Sequence, residues 1–546
     1  MRDARPDVGR GALLTEAQRF LVLAVLIGIC TGLVVVCFHA AIELLALAAS
    51  RLAQRPGLAV LLPALGAAVA ALVVHWSPVS GGSGIVQTKS ALYVSDGAIP
   101  FGAVPGKFAA CVLSLGSGTP LGPEDPALLM GAGIASRLGR LFGLTRRSMR
   151  LIAPTGAAAG IAAAFNTPIT GVLFVLEEVV SGFDTAVLGS IVLAAVSSVV
   201  TTQLFLGENP LFSVPVVPSV RSAPELTALV VLGLASGLFA TVYIRGMELV
   251  RYRLGAVHLP PAVGPFCAGI VVGVVGLAIP DVLGTGYLAM DGALHSQYTW
   301  QTMGLLALLK VAVAAVAFGT GTPGGLFAPT LFVGVMLGGA TGGLLTTFLL
   351  PASEAQPTFL LAGMAGVFAG VFRAPMTAVF MTFELSGTAA AILPAMITST
   401  VGFLVARQFH RQSILDLVAS HEGAAFPSAR LARPHGPLRV EDAMDAASTA
   451  AGAGVTVRHV PGQGWHVVEV GLDGVGVTLR QRVEPVYPDE LLDVPMRSLP
   501  GAPIIPVISR LDATQLLGVI TDDSIRRAYG FNASGQLQAR DDDPAA

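Results

Sequence analysis

Two adjacent carboxylates, Glu124 and Asp125, interrupt a very hydrophobic chain at a point where a helix is expected to begin. They lie in residues 116–133, which read GSGTPLGPEDPALLMGAG, and the apolar run over 127–141 predicts the helix. A helix N-terminus offers unpaired backbone N–H groups and the positive end of the helix dipole, so it attracts anions. Irregular backbone and carboxylates are rare inside membranes unless they line a cavity or a pathway. We therefore interpret Glu124 as a candidate functional residue.

The composition is typical of a polytopic helical membrane protein. The chain has 546 residues, of which 53% are hydrophobic and 12% charged, with 64 glycines, and its mean hydropathy is +0.73. The formal net charge of −2 does not suggest a nucleic-acid partner. All four cysteines fall in apolar runs without a C-x-x-C pair, which argues against a disulfide framework and against a metal site.

Apolar runs predict membrane helices from about residue 20 to residue 406. The first run, residues 20–49, is too long for a signal-peptide core, so we expect a retained helix. Arginines near both ends of this region place both termini in the cytoplasm by the positive-inside rule. We divide the chain into a cytosolic segment 1–18, a membrane domain 19–420 and a cytosolic domain 421–546, with the membrane domain in the cell (inner or plasma) membrane.

The membrane part contains an internal repeat, over about residues 60–205 and 222–406. The recurring residues are Pro126, Pro168, Thr170 and Glu177 in the first half, and Pro329, Pro375, Thr377 and Glu384 in the second. Glycine- and proline-rich loops break the apolar segments at matching places. Such repeats are typical of transporters, in which half-helix N-termini meet at the substrate near the membrane midplane. The alternative is chance similarity between small-residue helices, which the fixed offsets disfavour.

Three short motifs resemble those of the anion pathway in the CLC family of chloride channels and proton-coupled chloride antiporters. They are GSGIV at 82–86, GPEDP at 122–126 and GGLFAP at 324–329, and Lys107 stands 17 residues before Glu124, as in that family. The resemblance covers roughly residues 20–420. It implies an all-α polytopic membrane protein with the CLC fold, in which two inverted repeats contain broken, tilted helices, plus a small cytosolic α/β domain.

The resemblance also assigns roles to residues in these motifs. It implies that the hydroxyl of Ser83 and backbone N–H groups at Gly84, Leu326 and Phe327 bind a central chloride ion. Such donors hold an anion without a full positive charge, so the ion can also leave. Ser83 favours chloride, since family members that carry nitrate or fluoride tend to have proline or methionine there. The filter loops also contain Gly82, Ile85, Gly122, Pro126 and Gly325.

The same resemblance makes Glu124 the gate of the anion pathway. Its side chain would occupy an anion site when ionised and would withdraw when it is protonated or displaced. The alternative is a simple helix cap, because acidic residues are favourable in the first turn of a helix. The position between Pro123 and Pro126, inside a membrane span, favours the gate.

Two further glutamates end an apolar segment of the first half. Glu177 has a counterpart in Glu384, which indicates a shared structural task at a helix end. Glu178 has no counterpart, because Leu385 stands at the equivalent place. In the antiporters of the family, the internal proton acceptor falls at the position of Glu178. The alternative for Glu178 is a solvated charge at a helix end.

Several positions depart from the family pattern. The first loop has Val86 and Gln87 where proline and glutamate are usual, and the second has Pro123 and Asp125 where arginine and glycine are usual. The family's late tyrosine, which donates its hydroxyl to the central anion, falls on Leu415. We therefore expect that donor to be missing and the inner constriction to be looser.

Residues 421–546 differ in character from the membrane part, being charged and proline-rich with short alternating apolar runs. The segments LRVEDAM at 438–444 and LLGVITDDSIRRAYG at 516–530 resemble the start and the end of a CBS pair. Nucleotide-binding CBS modules usually end in T-x-x-D, whereas Thr521 is followed by Ser524, which argues against adenylate binding. We expect a packing or regulatory domain without a cofactor.

The sequence therefore predicts chloride transport, most simply by a proton-coupled chloride antiporter gated by Glu124. The alternative is a passive, gated chloride channel of the same fold, which the missing tyrosine makes credible. An intramembrane enzyme is disfavoured, because His75, the closest histidine to the loop serines, has no neighbouring acid to orient it. We expect no catalytic residues, no metal and no cofactor. The expected partners are chloride, other small anions, the lipid bilayer and a second copy in a homodimer.

Overall fold

The described residues form mainly helices, and the strands among them lie in the C-terminal part. The computed structural model describes residues 16–93, 95, 97–144, 146–180, 185–214, 222–255, 260–348, 356–421, 438–445, 455–461, 463–470, 477–490, 492, 503–510 and 512–529. Most of the predicted N-terminal segment 1–18 lies outside the described residues, and so does much of the predicted domain 421–546.

Sixteen of the described helices form two sets of eight that follow each other along the chain. The first set is α1 Glu16–Leu52, α2 Pro56–Trp76, α3 Gly84–Tyr93, α4 Ala103–Gly116, α5 Glu124–Leu141, α6 Arg146–Phe165, α7 Pro168–Phe174 and α8 Thr185–Leu206. The second set is α9 Ala223–Gly255, α10 Val263–Ala278, α11 Tyr287–Leu294, α12 Trp300–Gly319, α13 Phe327–Phe348, α14 Gln356–Phe372, α15 Pro375–Ser386 and α16 Ile392–Phe409. A short helix, α17 Ile414–His421, follows them.

These helices include both full-length and short segments. Among the described residues, eight helical stretches are long and apolar enough to cross a membrane, and α4, α10 and α14 are shorter apolar helices. The first stretch, residues 18–52, contains the apolar run over 20–49. The short helices α3 and α11, of 10 and 8 residues, occupy the same place in each set, so both halves contain a broken segment. The two inverted repeats with interrupted helices are therefore confirmed.

Matching glycines bring neighbouring helices of each repeat into backbone contact. A Cβ atom at Gly131 of α5 would lie 2.1 Å from the carbonyl oxygen of Gly156 in α6, and one at Gly363 of α14 would lie 2.6 Å from that of Gly334 in α13. Only glycine permits these approaches, so the crossing of α5 with α6 is repeated in the crossing of α13 with α14. Close approach through small residues is the usual way in which helices pack in membranes.

The turns before α7 and α15 are also equivalent. Asn166 and Arg373 stand two residues before the prolines that open these helices, and their φ angles are 59° and 63°. Proline suits the first helical position because it needs no backbone N–H there. Asparagine tolerates the left-handed region, whereas arginine there is uncommon. The buried guanidinium of Arg373 secures its turn by donating to three backbone carbonyl oxygens at 2.6, 3.0 and 2.6 Å.

The two repeats are joined by a reciprocal pair of helix caps. Glu384 at the end of α15 accepts hydrogen bonds from the backbone N–H groups of Ile169 and Thr170 in α7, at 2.9 and 2.7 Å. Glu177 accepts the equivalent bonds from Met376 and Thr377 in α15, at 3.2 and 2.8 Å. Each threonine hydroxyl adds a bond of 2.6 Å to the same carboxylate. The shared structural task predicted for Glu177 and Glu384 is confirmed: each caps the helix of the other half.

The described C-terminal residues form small strands and two short helices. Strands β1 Val455–Val460, β2 Gly464–Val470 and β3 Val477–Arg482 make an antiparallel sheet, and β4 Ile504–Ile508 pairs with β5 Leu516–Thr521. Helices α18 Val440–Ala443 and α19 Asp522–Ala528 accompany them. This arrangement confirms a small α/β part after the membrane helices. Thr521 and Ser524 are occupied in capping each other across the first turn of α19, at 2.9 and 3.1 Å.

The C-terminal part packs against the membrane part at α3, α6 and α17. Val86 of α3 and Val418 of α17 belong to the same apolar cluster as the strands. Tyr93 at the end of α3 faces Tyr529 with ring centroids 6.4 Å apart, and a guanidinium nitrogen of Arg150 lies 3.9 Å from a carboxylate oxygen of Asp522. The C-terminal part therefore touches the helix that begins beside Ser83.

The reciprocal caps generate a prediction about stability. We expect Glu177→Gln and Glu384→Gln each to lower the free energy of unfolding by about 2 kcal/mol, because hydrogen bonds to a charged acceptor are stronger than those to an amide oxygen. The measurement is the Tm of the purified protein in detergent. Glu208→Gln, at an exposed carboxylate in a loop, is the matched control. Wild-type Tm values for both cap variants would contradict the structural role.

Candidate anion-binding site

Two glycine loops meet through their backbones at the centre of the membrane part. The N–H of Gly122 donates to the carbonyl oxygen of Gly325 at 2.8 Å, and the N–H of Gly325 donates to that of Gly122 at 2.7 Å. These glycines stand two residues before α5 and α13 begin. The pairing therefore holds the N-termini of α5 and α13 side by side. The start of α3 packs closely against α5, because a Cβ atom added at Gly84 would lie only 2.4 Å from the carbonyl oxygen of Asp125.

Glu124 is the first residue of α5 and is completely buried. Its Oε1 atom accepts a hydrogen bond from the hydroxyl of Tyr287, the first residue of α11. The carboxylate faces the backbone N–H of Ala328 near the start of α13. Among the described residues, no donor reaches Oε2 with hydrogen-bond geometry. Glu124 therefore lies buried at a helix N-terminus, and its carboxylate faces both α11 and α13.

Asp125 points to a different helix from Glu124. Its carboxylate accepts hydrogen bonds from the Ser83 hydroxyl at 2.9 Å, from the N–H of Gly84 at 2.9 Å and from the N–H of Ile85 at 3.1 Å. Ser83 and Gly84 are two of the donors predicted to bind the central chloride ion, and we call their place at the start of α3 the inner anion position. Asp125 is buried, with 4% of its surface exposed. The predicted inner anion donors are therefore brought together, and an acidic side chain is bound to them.

A narrow cleft opens beside Asp125 and reaches α17. Its lining consists of Ser83, Ile85, Asp125, Phe318, Gly325, Leu326, Phe327, Phe372, Ile414, Leu415 and Val418. The lining includes Leu326 and Phe327, which were predicted to bind the anion, and Leu415, the predicted position of the missing tyrosine. Ile414 and Leu415 contribute aliphatic side chains, so α17 offers no side-chain donor at these two positions. The ring of Phe327 packs on Phe372 with centroids 4.6 Å apart.

Two buried lysines secure the loops that precede the short helices. Lys107 of α4 donates to the carbonyl oxygen of Gly82 at 2.6 Å, just before α3. Lys310 of α12 donates to the carbonyl oxygens of Val282 and Gly284 at 2.9 and 2.6 Å, just before α11. Lys310 precedes Phe327 by the same 17 residues that separate Lys107 from Glu124. These ammonium groups occupy carbonyl oxygens of the loops that lead into α3 and α11.

Glu178 is buried, and its Oε2 atom lies 3.8 Å from the ammonium nitrogen of Lys89, which is also buried. Glu177, its neighbour, points to α15 instead. Lys89 belongs to α3, whose first residues bind Asp125. Glu178 is therefore not a solvated charge at a helix end, and it is linked through α3 to the proposed inner anion position.

The family of the chain follows from this arrangement together with comparisons. Residues 65–407 match the family model described as voltage gated chloride channel. The chain belongs to this family. It is 31% identical to a putative chloride channel protein ClcB-like from Ralstonia nicotianae over 63% of this chain and 82% of that protein. It is 31% identical to the H(+)/Cl(-) exchange transporter ClcA of Vibrio vulnificus over 69% of this chain and 84% of that one.

Solved structures agree with the fold of this CLC family member. A slow cyanobacterial Cl-/H+ antiporter is similar with a TM-score of 0.68 and 26% identity, over 75% of this chain and 98% of that chain. A eukaryotic CLC transporter is similar in fold with a TM-score of 0.73 and 17% identity, over 93% of this chain and 98% of that chain. The CLC fold and a multi-pass membrane protein are therefore confirmed.

Sequence reasoning missed three residues of this site. Tyr287 lies in α11, an eight-residue helix without a long apolar run, although the G-T-G at 284–286 that precedes it matches the G-S-G at 82–84. Lys310 could have been found from its offset, which repeats that of Lys107. Lys89 had no such signal, because its pairing with Glu178 depends on how α3 packs.

The contact between Tyr287 and Glu124 generates a prediction. A hydrogen bond to a charged group contributes about 1.5–3 kcal/mol, so Tyr287→Phe should weaken the closed position of Glu124 about tenfold or more. We expect faster chloride efflux from proteoliposomes that contain this variant. Tyr252→Phe, at an exposed tyrosine of α9, serves as the control. Equal efflux from the Tyr287→Phe variant and the control would show that the phenol does not hold the gate.

Proposed function

We propose that this protein exchanges chloride for protons across the membrane, with Glu124 as the gate. The observation that carries the proposal is a buried carboxylate at the meeting point of helix N-termini, with one oxygen unpaired among the described residues. Its family membership and its relatives named H(+)/Cl(-) exchange transporters support the same function. The passive channel is not favoured by these relatives.

Chloride is held in this proposal by the donors at the starts of α3 and α13. Ser83 contributes a hydroxyl, and Gly84, Leu326 and Phe327 contribute backbone N–H groups. Partial charges of helix ends and a hydroxyl attract an anion strongly enough to admit it and weakly enough to release it. The aliphatic side chain of Leu415 adds no donor on the side of α17. Glu124 competes with chloride for the N-termini of α5 and α13.

Protons reach Glu124 from Glu178 in this proposal. Glu178 is the buried acid that the second repeat lacks, and its pairing with Lys89 stabilises the ionised form between proton transfers. A carboxylate inside a membrane protein with a named basic partner is the usual composition of a proton relay. The asymmetry between the repeats lets protons enter from one face while chloride passes through both halves.

We propose the assembly and the cellular setting on the same resemblance. The protein is expected to be a homodimer in the cell membrane, in contact with lipid, with both termini in the cytoplasm. Exposed apolar side chains on neighbouring helices, Ile169 at the start of α7 and Met376 at the start of α15, suit contact with a second copy. The C-terminal part is proposed to be a CBS-like domain that acts by packing, without nucleotide, metal or enzymatic activity.

The gate is tested by Glu124→Gln. This change removes the ionisable group but keeps its size, so we expect proton movement and pH-dependent gating to be lost while chloride still passes. The measurement is simultaneous chloride and proton flux in proteoliposomes, with Glu208→Gln as the control. If Glu124→Gln still drives protons uphill with a chloride gradient, Glu124 is not the gate.

The proton route is tested by comparing two adjacent residues. Glu178→Gln should leave chloride flux but remove most proton flux, because it deletes the acid at the inner end of the route. Glu177→Gln should keep the proton-to-chloride flux ratio in the protein that folds, because Glu177 is a helix cap. The reverse pattern would exchange their roles, and an unchanged ratio in both variants would favour the channel.

A further inference from the structure

We propose that Asp125 is a second tethered anion, which occupies the inner chloride position and competes with chloride for it. This inference rests on the proposed function and adds a specific inner competitor to it. The family pattern has glycine at this position, so the competitor belongs to this chain and not to the general mechanism of the gate.

The first argument is that the donors at the inner position can bind only one acceptor group at a time. The Ser83 hydroxyl and the N–H of Gly84 both donate to Asp125 at 2.9 Å, and the N–H of Ile85 donates at 3.1 Å. A chloride ion at the start of α3 would need the same donors. The carboxylate and the ion therefore exclude each other by occupancy of the same hydrogen bonds.

The second argument is that Asp125 is not an ordinary helix cap. A capping side chain normally comes from the residue just before its helix, and Ser83 holds that position for α3. Asp125 instead belongs to the first turn of α5 and reaches across from another helix. No lysine or arginine nitrogen lies within 4.0 Å of its carboxylate in the part of the chain that the structure describes. The carboxylate is held by hydrogen bonds alone, as a chloride ion would be.

The third argument is the cleft beside Asp125. Its lining includes Ser83, Leu415 and the start of α13 together with Asp125, so the cleft reaches both the carboxylate and the serine that it binds. Leu415 replaces a donor that would otherwise help to hold an ion there. A weaker set of donors makes an internal competitor more effective, because less binding energy is available to displace it.

The fourth argument comes from the repeat. The loops G-S-G at 82–84 and G-T-G at 284–286 open the equivalent helices α3 and α11. Asp125 binds at the start of α3, and Glu124 accepts from Tyr287 at the start of α11. Two adjacent carboxylates thus close the pathway on both sides, one for each repeat. Chloride must displace both to pass.

Chloride affinity of the full-length protein in detergent tests the proposal, measured by titration calorimetry with sodium chloride. Asp125→Gly should bind chloride at least about tenfold more tightly than wild type, because the charge-assisted bonds of the carboxylate no longer compete. Asp125→Asn keeps the size of the side chain but loses its charge, so its chloride affinity should lie between those of the wild type and Asp125→Gly. Asp512→Asn, at an exposed carboxylate of the C-terminal part, should match wild type.

The outcomes separate this inference from the function on which it rests. Unchanged or weaker chloride binding by folded Asp125→Gly overturns the competitor, even when the wild type exchanges chloride for protons in proteoliposomes. If Asp125→Gly does not fold, Asp125→Asn decides: a lower Tm with unchanged chloride affinity makes Asp125 a structural cap and overturns the proposal. Tighter binding in both variants, with no chloride flux through the wild type, supports the competitor and contradicts the transport function.

Discussion

The structure depends on the backbone pairing of Gly122 with Gly325, which holds two helix N-termini together in the interior of the membrane part. Two helix ends of the same polarity repel each other in a medium of low dielectric constant. Hydrogen bonds between side chains and backbone groups nearby hold the helix ends in place against this repulsion. Lys107 and Lys310 tie down the neighbouring loops, and the reciprocal caps of Glu177 and Glu384 lock the two repeats at α7 and α15.

The same constraint requires a negative group at the centre. Unpaired N–H groups of buried helix ends are costly to leave without an acceptor, so the site is expected to be always filled. The carboxylates of Glu124 and Asp125 lie there on the first turn of α5, and in our proposal chloride enters by replacing them. Exchange of one acceptor for another keeps the helix ends satisfied throughout, which lowers the barrier to moving an anion through an apolar region. In that proposal the carboxylates are part of the pathway and not only obstacles to it.

The sequence predicted the main parts of this site because they depend on residue type and spacing. Glu124 and Ser83 stand in recognisable loops, and the repeat identified Glu177 and Glu384 as equivalent residues. Successive helical residues point about 100° apart, so Glu124 and Asp125 had to face different partners. Which residues those partners are depends on tertiary packing. Tyr287 was missed because a short helix between two loops has no apolar period to reveal it. The domain limits and the assignment of anion-binding residues remain predictions.

The two repeats differ at the position of Glu178, where the proposed coupling of protons to chloride needs an acid in only one repeat. Lys107 matches Lys310, and Glu177 matches Glu384, so the frame and its caps are symmetric. Glu178 is matched by Leu385, which is fully buried and cannot carry a proton. The Lys89–Glu178 pair therefore lies in the first repeat, and its lysine belongs to α3, the helix whose start binds Asp125. In the proposed mechanism, a proton that arrives at Glu178 weakens its attraction to Lys89 in the middle of α3, while an anion replaces Asp125 at the start of that helix. The helix α3 thus gives proton and chloride movement a common structural element, which a symmetric pair of repeats would not provide.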